Sequence, residues 1–301
     1  MVSMRVLAGM LAVPLFLACV RAQSPPPGAG SAAAASTPAP TFEPLGRWEQ
    51  ALRAGDSDAL KANFSSDPPA HLIDLKEKPF SLDEEVAFWQ ARRAEGLKVD
   101  TVDIVSTGSL PKLPDYFRQV TFVVVLQPAG SGPSPKYVNA IQVWNTAATP
   151  PQIVLMVRSG VLLLQQPRQL DPNLYPANAD AKADIAQALA RAGREHKRVL
   201  LVFGGNWCYD CDVLELAFRR PDIEPVLTAS FVVVNVDIGQ GDKNLDVAKH
   251  YEIVLDKGVP ALAVLENDGK LLYSQKQGEF ESARSLNPDD IIDFLNHWKP
   301  K

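Results

Sequence analysis

Residues 199–220 read VLLVFGGNWCYDCDVLELAFRR. The apolar run Val199–Phe203 is bounded by Gly204 and Gly205, the pattern of a short buried strand. Trp207, Cys208, Tyr209, Asp210 and Cys211 follow. Val213, Leu214, Leu216, Ala217 and Phe218 then supply the apolar surface of a helix, which Pro221 ends. Working outward, Asn178–Arg194 reads as a helix with Ile185, Leu189 and Ala192 on one side. Phe231–Asp237 is a second buried strand. Gly258-Val259-Pro260 precedes a third, Ala261–Glu266, and Asn267-Asp268-Gly269 turns into a fourth, Lys270–Gln275. Asn287-Pro288 opens a last helix through Trp298. Strands alternating with helices and closing on a hairpin make an α/β sheet covered on both faces.

The chemistry of this segment follows from its two cysteines. Thiolate is the attacking species in disulfide exchange. A cysteine at a helix start faces free backbone N–H groups and the positive end of the dipole, which favour thiolate. Cys208 is therefore expected to be the exposed nucleophile, and Cys211, one turn on, the residue that resolves a mixed disulfide. Two other readings stand beside this one: a purely structural disulfide, and half a zinc site. Zinc needs four ligands, and His196 and His250 lack ligand spacing. His297, near the end of the last helix, reads as solvent-facing. No metal is expected, and no cofactor beyond the dithiol itself.

Residues 178–301 resemble the thioredoxin superfamily. The match has a strand running into Trp-Cys-x-x-Cys, a helix starting at the motif, a strand ending in Asp237, and a Val-Pro about fifty residues after Cys208. The resemblance implies a cis bond before Pro260, a backbone at Val259 that pairs with an extended substrate, and a thiol–disulfide oxidoreductase. Its partners would be protein disulfides or dithiols and an electron donor or acceptor. Departures are informative. The x-x pair is Tyr209-Asp210 rather than Gly-Pro, so these two residues and Trp207 are taken as supporting the dithiol. The family's buried acid would fall at Val202 and its nearby lysine at Val233. Asp210, Asp212 and Glu215 load the helix start with negative charge, which opposes thiolate at Cys208 and favours a reductase or exchange role over an oxidase.

The preceding half has another character. A helix begins at Phe42 with Leu45, Trp48, Ala51 and Leu52 at helical spacing, and Gly55 interrupts it. Asp56-Ser57-Asp58 can cap a second helix through Leu60 and Phe64. Ser81 and Glu84 form a capping box for a helix to about Glu95, ended by Gly96. Strand patterns follow at Val99–Ser106, Arg118–Leu126, Tyr137–Asn145 and Ile153–Leu164. Helices and then antiparallel strands make an α+β layout. With the stretch ALRAGDSDAL (Ala51–Leu60), this order resembles the nuclear-transport-factor-2-like (SnoaL-like) cone fold. Some members of that fold are enzymes with an Asp/His pair, but His71 is the sole histidine between 42 and 165 and reads as a surface or loop residue. Trp48, Phe88, Trp89 and Trp144 read as core, and Asp83-Glu84-Glu85 as helix N-terminal charge. This half is read as a binding or dimerisation module. The expected fold class is thus an α+β cone-like domain over 42–165, a linker over 166–177 marked by Pro167, Pro172 and Pro176, and an α/β thioredoxin-like domain over 178–301.

The N-terminus completes the picture. MVSMR leads into about fifteen apolar residues, a length that suits a secretory signal h-region better than a membrane span. Cleavage after Ala22 gives a signal peptide of residues 1–22. The rival reading takes Phe16-Leu17-Ala18-Cys19 as a lipobox, with a lipid anchor at Cys19. Either exports the chain, to a bacterial periplasm. Residues 23–41 carry no charge and no large apolar side chain before Phe42, the composition of a flexible tether. The net charge of −5 argues against nucleic acid as a partner. Three functions follow: an exported thiol–disulfide oxidoreductase, a redox-inactive binding or chaperone module stapled by its CxxC, or a SnoaL-like enzyme with a thioredoxin appendage.

Overall fold

A computed structural model describes residues 40–130 and 134–301. The signal peptide, Cys19 and most of the tether lie outside the described residues. The N-terminal part begins with α1 (Glu43–Ala54), whose chain reverses at Gly55, φ 70°, a left-handed conformation that glycine adopts at little cost. Asp56 then caps α2 (Ser57–Lys61), its carboxylate accepting the Ala59 N–H at 2.9 Å. This helix stops short of Phe64, because Phe64 forms a bridge to Ile153 and is drawn onto the sheet. Next come β1 (His71–Asp74) and α3 (Leu82–Ala94). Both halves of the Ser81–Glu84 capping box are made. His71 opens a strand rather than lying in a loop, and its side chain is exposed.

Four longer strands follow: β2 (Lys98–Ser109), β3 (Phe117–Gln127), β4 (Lys136–Asn145) and β5 (Gln152–Arg158). The sheet order is β1-β5-β4-β3-β2, antiparallel throughout except that β1 runs parallel to β5. The last strand ends at Arg158 instead of Leu164. Beyond it Ser159 still bonds to Asn139 of β4, and Leu162 forms a bridge to Tyr137. Helices and sheet close over Trp48, which is fully buried and meets Phe122 edge-on with ring centres 5.3 Å apart. Trp89 and Trp144 share this core, whereas Phe88 is half-buried.

Glu85 departs from the sequence reading. It lies in the first turns of α3 but is fully buried, paired with Arg158 at 2.5 Å and accepting the Trp89 indole N–H at 2.6 Å. Arg158 in turn lies over the Phe88 ring, 3.6 Å from its centre. Burial pushes the Glu85 carboxyl up, against the pull of Arg158. It is a core ion pair rather than helix-end charge.

The C-terminal part contains α4 (Ala181–Glu195), β6 (Arg198–Gly204), α5 (Tyr209–Phe218), α6 (Glu224–Ser230), β7 (Phe231–Asp237), α7 (Leu245–His250), β8 (Ala261–Leu265), β9 (Leu271–Ser274) and α8 (Pro288–Trp298). Its sheet has the order β7-β6-β8-β9, with β6 and β7 parallel and the other pairs antiparallel. Side chains of a strand alternate between faces. Accordingly Val199, Leu201 and Phe203 pack with α4 and α7, while Leu200 and Val202 pack with α5, α6 and α8. Both faces are covered, as the apolar runs require.

Candidate functional site

The strand β6 ends at Gly204, and the chain passes Gly205, Asn206 and Trp207 before the N-cap of α5. Cys208 occupies the N-cap position of α5, where its sulfur accepts the Cys211 N–H at 3.1 Å. Cys208 and Cys211 are joined as a disulfide with Cα atoms 5.3 Å apart. The Val259 carbonyl oxygen lies 3.5 Å from Cys208 Sγ, and the Val259–Pro260 peptide is cis. The sequence-derived residues therefore converge: the dithiol sits at a helix N-terminus, opposite the backbone of the Val-Pro pair. Trp207 packs against the pair and donates its indole N–H to the Gly239 carbonyl at 2.5 Å.

The expected exposure of Cys208 is not found. The residue is only 3% exposed, and Cys211 2%. Packed with them, beside Trp207 and Val259, are Leu174 and Tyr175, from the segment that its prolines marked as a linker. That segment is a docked strap. Asn206 holds it three ways, accepting the Tyr175 N–H (2.8 Å) and donating to the carbonyls of Pro172 (2.6 Å) and Tyr175 (3.0 Å). Asn235 donates to the Leu174 carbonyl at 3.1 Å, and Asp212 accepts the Asp171 N–H at 2.8 Å. A Cβ on Gly204 would overlap both Tyr175 Oη and Cys211 Sγ, so glycine is what lets the phenol reach the dithiol.

The acidic residues at the helix start also differ from expectation. Asp210 is buried and forms an ion pair with Arg284, which also donates its backbone N–H at 2.8 Å. The Arg284 guanidinium lies 4.7 Å from the centre of the Tyr209 ring. The charge of Asp210 is thereby compensated, and its opposition to thiolate is weaker than the sequence suggested. Asp212 forms no ion pair among the described residues, and Arg219 acts on it only weakly. Burial pushes its carboxyl up to about 6, with Asp171 and Glu215 adding to the effect. Tyr209 points away from the dithiol: its hydroxyl donates to Gln166 Oε1 (3.1 Å) and accepts from Asn139 Nδ2 on β4 (3.3 Å). Among the described residues, no group of three or more His, Cys, Asp and Glu could hold a metal ion.

Sequence reasoning did not find Tyr175, Asn206 or Arg284. Tyr175 carried one signal, the apolar pair Leu174-Tyr175 inside a proline-rich join. Arg284 lies 74 residues from its partner and left none.

Residues 180–267 match a family model described as thioredoxin-like. Among solved structures, the chain is similar to a disulphide isomerase from Xylella fastidiosa Temecula1, with 38% identity over 41% of this chain and 94% of that one, TM-score 0.38. It is also similar to an NTF2-like protein from Cytophaga hutchinsonii (8% identity, 39% and 93% covered, TM-score 0.29). A third is a ketosteroid isomerase-like protein from Erwinia carotovora atroseptica (15%, 39% and 90%, TM-score 0.30). No curated protein matches the chain. The CxxC disulfide at the start of α5, within a thioredoxin-like sheet, supports a thiol–disulfide oxidoreductase-like role. Through this C-terminal segment the chain belongs to the thioredoxin-like family.

Proposed function

We propose that the protein is an exported thiol–disulfide oxidoreductase that reduces or exchanges protein disulfides through Cys208 and Cys211. The observation that carries this reading is the disulfide at the N-terminus of α5, facing the Val259 carbonyl. In the reduced state, the Cys208 thiolate attacks one sulfur of a substrate disulfide. A Cys208–substrate disulfide forms and one substrate thiolate departs, taking the Cys211 proton. The Cys211 thiolate then attacks Cys208 Sγ and closes the internal disulfide. The second substrate thiolate leaves and is protonated by solvent. Two electrons have passed to the substrate, and an external dithiol restores the protein. Val259 is suited to hold an extended substrate by its backbone, since its carbonyl is beside the attacking sulfur. Export is supported by the basic and apolar pattern of residues 1–22. The N-terminal α+β domain fits a binding or dimerisation module.

The test is dithiothreitol-driven reduction of insulin disulfides by wild type and Cys208→Ser. Loss of turnover in the variant is expected. Equal turnover in both would sink the proposal. A second reading, in which the disulfide only staples α5, draws on the burial of Cys208 against the strap. It predicts no turnover in wild type, and a disulfide that resists millimolar glutathione.

A further inference from the structure

The phenol of Tyr175 is 1% exposed, and its hydroxyl has no hydrogen-bond partner among the described residues. A buried donor without an acceptor is unfavourable. This one is not stranded at random. It lies on the same side of Gly204 as Cys211 Sγ, with both atoms crowding the point where a Cβ would stand. It reaches that point because the strap is fixed on either side of the ring by Asn206 and Asn235. Burial and the carboxylates of Asp212, Glu215 and Asp237 hold the phenol above its ordinary range, so it keeps its proton and remains a donor. The two positions at which the family resemblance would place proton-handling groups are Val202 and Val233, which can donate nothing from their side chains.

We propose that Tyr175 is the positioning residue for Cys211, its hydroxyl donating a hydrogen bond to the Cys211 sulfur when the disulfide is opened. A disulfide sulfur is a poor acceptor, whereas the free Cys211 sulfur accepts as a thiol and strongly as the thiolate formed when it gives up its proton. The donor is therefore unsatisfied in the oxidised protein and satisfied in the reduced one. The phenol proton is not transferred: Cys211 gives its own proton to the departing substrate thiolate, and Tyr175 stabilises the charge that results. Opening the Cys208–Cys211 bond takes two electrons from an external thiol pair, here glutathione, which becomes glutathione disulfide. The differential interaction with Tyr175 tilts that exchange toward the dithiol.

This inference rests on the redox-active reading above, but it is tested separately. Full-length wild type and Tyr175→Phe are equilibrated in glutathione buffers of graded ratio and the fraction of dithiol is read by alkylation. The variant is expected to shift the equilibrium about tenfold toward disulfide, equivalent to a potential about 30 mV lower. Urea unfolding of the oxidised and reduced forms provides the second measurement. Tyr175→Phe is expected to leave the oxidised form at least as stable as wild type and to weaken the reduced form alone. An unchanged equilibrium, or equal destabilisation of both forms, overturns the proposal. Failure of wild type to reduce insulin would overturn the proposed function instead, without touching this equilibrium.

Discussion

The strap makes a quantitative demand on access to the dithiol. Cys208 is 3% exposed in a cluster with Leu174 and Tyr175, so access to its sulfur should rise when the strap lifts away. Asn206→Ala removes three hydrogen bonds that hold the strap down. At a net ~0.5–1.5 kcal/mol each, the docked state loses about 2–4 kcal/mol. With ~1.4 kcal/mol per decade, the lower figure raises the open population about 30-fold. Asn235→Ala removes one bond to the strap, at the Leu174 carbonyl, and should raise it about fivefold. The assay is the rate of iodoacetamide alkylation of the reduced protein at fixed pH, with the urea-unfolded chain as the ceiling. Wild type should react well below that ceiling, Asn235→Ala faster, and Asn206→Ala fastest. If folded wild type alkylates as fast as the unfolded chain, the strap is not a barrier. If Asn206→Ala keeps the wild-type rate while remaining folded, the hydrogen bonds do not hold it closed. Either result refutes the reasoning.

Other perturbations test neighbouring parts of the same account. Asp212→Asn should stabilise the protein at pH 7 by about 1–2 kcal/mol in urea unfolding. The carboxyl titrates near 6 when folded and near the ordinary 3.8 when unfolded, so the native state binds the extra proton between those values. Wild-type stability should therefore fall as pH rises from about 4 to 6, by this group's contribution, and the asparagine variant should lose that slope. Arg284→Gln leaves Asp210 buried beside an uncharged amide and should cost about 3 kcal/mol, most of it recovered in the double variant with Asp210→Asn. Arg158→Met strands Glu85 in the N-terminal core and should cost ~3–5 kcal/mol in the same assay, with Glu85→Gln restoring part of it. Gly204→Ala sets a methyl against Tyr175 Oη and Cys211 Sγ, and should destabilise by ~1–3 kcal/mol while speeding alkylation.

What the sequence made legible was local. The run Val199–Phe203 alternates between two cores because a strand has no other way to place five apolar residues in a covered sheet. Ser81 and Glu84 announce α3, since both partners of the capping box lie within one turn. Cys208, Cys211, Val259 and Pro260 could be paired because family resemblance supplied the long-range link that residues alone did not. The unread features are long-range bonds between ordinary residue types. Glu85 looked like helix-end charge because an acid in the first turns of a helix is stabilised there anyway. Only the arrival of Arg158 from β5, 73 residues later, makes it a core residue. The strap was hidden by its prolines, which mark a segment that forms no helix or strand but say nothing about whether it docks. Its anchors are side-chain amides from Asn206 and Asn235, whose pattern in sequence is that of any loop or strand edge.

The first turn of α5 shows how these distant bonds change the meaning of the motif. Tyr209 is tied through its hydroxyl to Asn139 on β4 and to Gln166. Asp210 is tied to Arg284, in the short turn before α8. Asp212 is tied to the backbone of the strap. Three residues of one helical turn thus engage three separate segments, and both cysteines are within one residue of a tether. A dipeptide between two cysteines can tune a dithiol by its own charge and rigidity, and from the sequence alone Asp210, with Asp212 and Glu215, makes an acidic, thiolate-opposing helix start. The charge of Asp210 is instead taken up by Arg284, and the Tyr209 phenol hydroxyl by Asn139 and Gln166. The free variables left near the sulfurs are Tyr175 and Asp212, one a buried donor and the other a carboxyl titrating near 6. The electrostatics of this dithiol are therefore set less by the two residues between the cysteines than by Tyr175 on the strap and Asp212 on α5.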